Sequence, residues 1–176
     1  WHIMKIYAHH DINEFIICLG YRGHQIKEFF ANFWMRSDDI TFHLRSGEHL
    51  SHKSCGEDWT VRLVETGDQA MTGGRLKRVG EFLKEDDCFC CTYGDGVADV
   101  DITKSIQFHR SHKKLATVTG VYPPGRFGNL VCEDDVVVGF DEKPKGDGSL
   151  INGGFFVLSP DVFELIDGDA TVWEQE

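Results

Sequence analysis

The run Phe15-Ile16-Ile17-Cys18-Leu19 is apolar at every position and is closed by Gly20. A strand without polar alternation must be buried on both faces, so something has to cover it above and below. A cover follows at once, because Gln25 to Phe33 carries Ile26, Phe29, Phe30 and Phe33 at helical spacing. The alternation continues along the chain. A helix runs through His9 with Ile3, Ile6 and Tyr7 on its apolar face, then come a strand over Glu14 to Leu19, the helix just described and a strand over Ile40 to Leu44. Arg45 to Asp58 is a polar, glycine-bearing stretch that suits an exposed excursion, and Trp59 to Glu65 alternates as a strand with Val61 and Leu63 inward.

Thr72-Gly73-Gly74-Arg75 opens a helix whose stripe is Leu76, Val79, Phe82 and Leu83, reaching Lys84, and Cys88 to Thr92 is the next strand. Ile102 to His112 is amphipathic, with Ile102, Ile106 and Phe108 expected to be buried, and Ala116 to Val121 is a β-branched strand. After Pro123-Pro124-Gly125, strands are expected at Asn129 to Cys132, Val136 to Glu142 and Gly154 to Leu158. A closing helix over Pro160 to Ile166 starts with proline in its first turn. The expected fold is α/β, a doubly wound and mostly parallel sheet with right-handed crossovers and some antiparallel strands near the end. No repeat or linker divides the 176 residues, so 1–176 is expected to be a single domain.

A formal charge of −11 argues against nucleic acid and anionic membrane surfaces, which reward excess Lys and Arg. Any phosphate-bearing ligand then needs local positive groups or a metal. No apolar run is long enough to span a bilayer, and Trp1-His2-Ile3-Met4-Lys5 lacks the layout of a signal peptide, so the cytoplasm is the expected location. Trp1 is not an initiator methionine and Trp173-Glu174-Gln175-Glu176 stops abruptly, and a piece of a longer protein is expected. The six cysteines are scattered and read as small core residues. His49, His52 and Cys55 have the spacing of half a zinc site, but no second ligand pair follows.

Thr92-Tyr93-Gly94-Asp95-Gly96 delivers one carboxylate onto a glycine-flanked turn at the end of an apolar strand. Hard cations are held in that way, and open α/β sheets bind ligands at the carboxyl ends of their strands. A plain strand exit has the same sequence. Three more segments are richer in Gly, Lys, Arg and Asp than a scaffold requires: 66–75, Glu142-Lys143-Pro144-Lys145-Gly146 and Ile151-Asn152-Gly153-Gly154-Phe155. Gathered on one rim they would supply an anion cradle, a metal ligand and a phosphate-binding lysine. Taken singly, they also read as a helix-opening turn, a solvated loop and a hairpin.

In this order the segments resemble the sugar-phosphate nucleotidylyltransferases, and among them the glucose-1-phosphate cytidylyltransferases. The resemblance covers almost the whole chain. It rests on Gly-Tyr-Arg-Gly at 20–23, Thr-Gly at 66–67, Met-Thr-Gly-Gly-Arg-Leu-Lys-Arg at 71–78, Tyr-Gly-Asp-Gly-Val-Ala-Asp at 93–99 and Pro-Pro-Gly-Arg-Phe-Gly at 123–128. Glu-Lys-Pro-Lys-Gly-Asp-Gly at 142–148, Ile-Asn-Gly-Gly-Phe-Phe-Val at 151–157 and Trp-Glu-Gln-Glu at 173–176 complete it. The matches at 71–78 and 142–157 resemble the cytidylyl branch specifically, whereas Gly-Asp and Glu-Lys-Pro are shared more widely.

The resemblance implies a nucleotide-diphospho-sugar transferase-like, Rossmann-type fold in which glucose 1-phosphate attacks the α-phosphorus of CTP, giving CDP-glucose and pyrophosphate. It implies Mg²⁺ held by Asp95, with Asp95 and Lys143 as the catalytic residues. Gly94, Ala70 and Arg75 would contact the nucleotide, with Ala70 standing where close relatives have Ser, so that only a main-chain contact remains there. Lys143 would grip the sugar phosphate, Asn152 and Gly153 would touch substrate, and Tyr93 and Glu142 would line the same pocket. Asp99 reads as a turn residue. The family's amino-terminal glycine-rich signature and a second metal-binding Asp do not occur in these residues, so the chain alone is expected to be inactive and its sheet to have unpaired edges. A homo-oligomer is implied for the full-length protein, with Arg45 to Asp58 as the segment to examine for a subunit contact. A uridylyl- or thymidylyltransferase and a non-catalytic sugar-nucleotide-binding subunit are the competing readings.

Overall fold

The computed structural model describes residues 1–52, 56–123, 129–141 and 149–175. In chain order these form α1 (His2–Ala8), β1 (Glu14–Leu19), α2 (Gly23–Ala31), α3 (Phe33–Ser37), β2 (Ile40–His43), β3 (Glu48–Ser51), β4 (Thr60–Glu65) and α4 (Thr72–Val79). They continue as β5 (Phe89–Thr92), α5 (Ile102–His112), β6 (Ala116–Val121), β7 (Asn129–Glu133), β8 (Val136–Asp141) and β9 (Ile151–Leu158). Short 3-10 helices occupy Gly80–Phe82 and Pro160–Leu165. The chain divides into two compact units, Trp1–Glu85 with Pro160–Glu176, and Asp86–Ser159.

In the first unit β1 and β4 pair in parallel, with Glu14 opposite Thr60 and Leu19 opposite Glu65, so both strands end at the same rim. Its core gathers Met4 and Tyr7 of α1, Leu19 of β1, Leu76 and Val79 of α4, and Val162 and Ile166 of the closing segment. The helix expected over Gln25 to Phe33 begins earlier and breaks at Asn32, whose φ of −108° and ψ of 18° end one helix and start the next. The polar excursion holds a strand: β3 pairs antiparallel with β2, and Trp34 stacks on His49 with ring centroids 5.2 Å apart. The helix expected to reach Lys84 tightens after Val79, where Gly80 lies against the ring of Phe163, leaving Phe82 38% exposed.

In the second unit β9 is the central strand, antiparallel to both β5 and β6. Strands β5 and β6 therefore run in the same direction, with α5 between them in sequence, and β9 fills the gap that a βαβ crossover leaves. Phe155, Phe156, Val157 and Leu158 are all buried, as a central strand requires. β7 and β8 form a separate antiparallel hairpin with an irregularity between Val131 and Cys132. Of the cysteines expected in the core, Cys18, Cys88, Cys90 and Cys91 are half-buried, Cys132 is exposed and Cys55 lies outside the described residues; burial pushes the Cys90 thiol up to about 12. Cys18 and Cys88 are pushed up by the same cause.

Helix α5 opens on Asp101, whose carboxylate accepts from the Lys104 amide at 3.0 Å, and closes on Lys113 in the left-handed region. Its buried residues differ from the expected set. Phe108 is 62% exposed and His109 is buried at 3%. Adjacent helical positions point about 100° apart, so only one of the two can face the sheet. His109 is accepted there because both ring nitrogens find partners, Thr117 Oγ1 at 2.9 Å and Ser159 Oγ at 3.1 Å.

The tautomers follow from the bonds. His112 Nδ1 accepts from the Lys114 amide at 2.9 Å, so neutral His112 carries its proton on Nε2 and donates to Thr117 Oγ1 at 2.7 Å. Thr117 then donates to His109 Nδ1, and His109 Nε2–H donates to Ser159. Burial holds His109 below its ordinary range, and His112 and Arg110 lower it further while Asp87 opposes them. A neutral buried histidine stabilises the fold fully above the unfolded value near 6.5, and that contribution is lost as pH falls from there through the folded value. The urea midpoint is therefore expected to be lower at pH 5.5 than at pH 7.5, with the difference shrinking in His109→Gln; an equal difference in that variant contradicts the assignment.

Candidate functional site

In the first unit, parallel pairing puts the ends of β1 and β4 side by side. Thr66, fully buried, donates to the Leu19 carbonyl from both its amide and its hydroxyl, each at 2.8 Å. Arg75, on the first turns of α4, joins the same cluster. Its Nη1 donates to Leu19 O at 3.1 Å and to Thr66 Oγ1 at 2.9 Å, and Nη2 makes a long contact of 3.5 Å with Asp68 O. One edge of the guanidinium thus ties two strand ends together, while the other has only a weak bond. Ala70 is buried at the end of the same loop, so its methyl group leaves no side-chain donor there.

The anion cradle expected at Gly73-Gly74 is otherwise occupied. Both amides donate to the Thr171 carbonyl, at 3.0 and 3.3 Å, and the Met71 amide donates to Asp169 O at 2.8 Å. A Cβ at Gly74 would lie 2.5 Å from the Asp169 Cα, so the glycine is required by the close approach of the chain. Trp173 N donates to the Thr72 hydroxyl at 2.9 Å, Arg78 forms a bidentate pair with Asp169, and Lys77 donates to the carbonyls of Ile166 and Asp167. Each partner of the Arg78–Asp169 pair favours the other's charged form, raising the arginine and lowering the aspartate. Much of the 71–78 motif therefore clasps residues 166–173. Sequence reasoning passed over Lys77, Arg78, Asp169 and Thr171; the clue was two basic residues on a short helix and two acids, Asp167 and Asp169, in a terminal loop.

In the second unit, Thr92 lies opposite Phe155, and this register brings the end of β5 to the start of β9. The Gly154 carbonyl accepts from Thr92 Oγ1 at 2.7 Å and from the Tyr93 amide at 3.4 Å. Gly94 and Asp95 then form a turn, with the Gly96 amide donating to Tyr93 O at 3.3 Å. Asp95 is exposed, and a Cβ at Gly94 would meet nothing within 4 Å. Asn152 is exposed beside this turn, with its Nδ2 3.2 Å from Tyr93 Oη, and Gly153 is half-buried next to it.

The structure thus groups Ala70 with Arg75, and Gly94 and Asp95 with Asn152 and Gly153. Glu142 and Lys143 lie outside the described residues. So does Cys55 of the imagined zinc half-site, whose His52 is hydrogen-bonded to Thr41 Oγ1 at 2.7 Å. Among the described residues, no cluster of three or more His, Cys, Asp and Glu side chains could enclose a metal. A lone exposed carboxylate with open space around its turn suits Mg²⁺, which keeps most of its waters and takes its other oxygens from substrate phosphates.

A model of the family described as nucleotidyl transferase matches residues 1–175. The glucose-1-phosphate cytidylyltransferase of Salmonella typhi is 57% identical over 176 residues, all of this chain and 68% of that protein, and its counterpart in Salmonella typhimurium (strain LT2) matches equally well. Among solved structures, HddC from Yersinia pseudotuberculosis superposes with a TM-score of 0.64 at 19% identity, over 99% of this chain and 69% of that one. At that identity the likeness speaks for the fold alone, a Rossmann-like arrangement of α/β elements.

Proposed function

Since the chain belongs to the nucleotidyl transferase family, we propose that it serves an enzyme that transfers a cytidylyl group from CTP to glucose 1-phosphate, giving CDP-glucose and pyrophosphate. The observation that carries this reading is identity of 57% along the whole chain to proteins named for that reaction. The two compact units are read as parts of one nucleotidyltransferase domain within residues 1–176.

A phosphate oxygen of the sugar attacks the α-phosphorus, forming one O–P bond. The bond from that phosphorus to the bridging oxygen breaks, and pyrophosphate leaves with the electron pair. The nucleophile is already anionic at neutral pH, so no base is needed, and the protein's task is to hold two polyanions together against their repulsion. Asp95 supplies a hard oxygen for Mg²⁺. When bound, that ion would neutralise phosphate oxygens of the transferring and leaving groups. Gly94 lets the nucleotide approach the main chain. Arg75 keeps the strand ends together through Nη1 and offers its Nη2 edge to the nucleotide, with a main-chain contact at Ala70. Lys143 places a point charge on the sugar phosphate, and Glu142, Asn152 and Gly153 contact the sugar. A cytoplasmic homo-oligomer is the working form that this reading implies. No helix among the described residues is long and apolar enough to cross a membrane.

Turnover of glucose 1-phosphate with CTP, UTP and dTTP, in a protein carrying this sequence at its relatives' full length, tests the reading. CTP is expected to be preferred by at least about tenfold in kcat/KM, the scale of one well-placed polar contact. A preference for UTP or dTTP overturns the nucleotide assignment, and binding without turnover of any of them favours the non-catalytic alternative.

A further inference from the structure

The Asn152 side chain is held at both ends. Its Oδ1 accepts from the Gly154 amide at 2.8 Å, which identifies the oxygen and leaves Nδ2 as the atom facing Tyr93 Oη at 3.2 Å. One amide N–H is used by the phenol, and the other has no partner among the described residues and remains for a ligand. The phenol is itself held firmly. Its ring meets Phe156 edge-on, with centroids 5.7 Å apart and planes at 77°, and lies close beside Gly154. Gly154 has a φ of +77°, and a Cβ there would come within 2.9 Å of the tyrosine Cδ2. Only glycine satisfies both the backbone and the ring. The same residue's carbonyl binds Thr92 and the Tyr93 amide, so the strand end that leads into the Asp95 turn and the strand start that carries Asn152 meet on one glycine.

We propose that Tyr93 is a positioning residue: its hydroxyl fixes the Asn152 amide so that the remaining N–H is presented to a hydroxyl oxygen of the sugar. This rests on the cytidylyl-transfer reading above and assigns to Tyr93 a part in recognising the sugar phosphate, separate from the Asp95 turn beside it. Ring and hydroxyl have different tasks. The ring packs on Gly154 and Phe156, and the hydroxyl orients Asn152.

Tyr93→Phe in the full-length protein separates them. Loss of one orienting hydrogen bond is expected to raise KM for glucose 1-phosphate by about 3- to 10-fold. KM for CTP and kcat should stay within about twofold, because an interaction made equally before and during the reaction affects KM alone. Asn152→Ala should raise the same KM at least as much, and the double variant should lose less than the two single losses combined, since the hydroxyl acts on the sugar through the amide. Asn152→Asp, which can still accept from the Gly154 amide but offers no N–H, should repeat the effect with Tyr93 intact. Overturning results are an unchanged KM in Tyr93→Phe, a loss that adds in full to that of Asn152→Ala, a fall in kcat at unchanged KM, or a Tyr93→Phe protein that fails to fold although the ring is kept. If the wild-type protein does not use CTP with glucose 1-phosphate, the functional reading fails and this inference with it; normal wild-type turnover with an unaffected Tyr93→Phe sinks the inference alone.

Discussion

Asp95→Asn in the full-length protein is expected to lower kcat by about 100- to 1000-fold while the melting temperature stays unchanged. The magnitude is that of removing one preorganised electrostatic partner from a charge-separating transition state. The selectivity follows from where the residue sits. Asp95 is exposed on a turn, and the bond that closes the turn runs between the main chains of Gly96 and Tyr93, so an amide at 95 leaves the fold intact. Charge neutralisation is what the reaction requires, and an amide oxygen binds Mg²⁺ less well than a carboxylate, so part of the loss should return at high Mg²⁺. Rates measured at saturating CTP and glucose 1-phosphate across a Mg²⁺ series check this. Activity within threefold of wild type would remove Asp95 from the mechanism.

Gly74→Ala is expected to have the largest effect on stability. The added carbon would lie 2.5 Å from Asp169 Cα and 2.6 Å from its carbonyl oxygen, and backbone atoms cannot rotate aside. Lifting the segment away from α4 also weakens the bonds from Met71, Gly73 and Gly74 to Asp169 and Thr171. Overpacking costs about 1–3 kcal/mol and each weakened hydrogen bond about 1 kcal/mol, against about 1 kcal/mol regained in helix propensity. A net loss of about 3 kcal/mol corresponds to a melting temperature lower by roughly 6–12 °C for a chain of this length. Gly94→Ala is the control, since a Cβ there meets open space. If both variants melt alike, the clasp contributes nothing.

How far the molecule could be read without coordinates depends on whether the deciding atoms were local. β1 and α5 were legible within a residue or two because an unbroken apolar run and helical periodicity are written in the segments themselves. The burial of His109 instead of Phe108 was not, because it depends on hydroxyls of Thr117 and Ser159 on other elements. Gly73-Gly74 resembled a ligand loop from its neighbours, whereas its partners Asp169 and Thr171 lie at the far end of the chain. In the candidate site, the turn that presents Asp95 followed from its glycines and the strand before it. The bond from Asn152 to Tyr93 could not be foreseen, because it arises from the antiparallel register of β9, and strand direction leaves no mark on local sequence.

That register also orders events during synthesis. β5 and β6 emerge first, and β9, the strand that joins them, pairs Phe89 with Leu158 and Thr117 with Val157. At roughly 5–20 residues per second, a ribosome leaves both edges unfilled for several seconds after Val121 has appeared. The first unit waits longer still, because its closing segment from Pro160 onward follows the whole of the second. A nascent chain stalled before Ile151 therefore exposes two unpaired β-strand edges, and chaperone capture should peak in that interval and fall once Leu158 clears the exit tunnel.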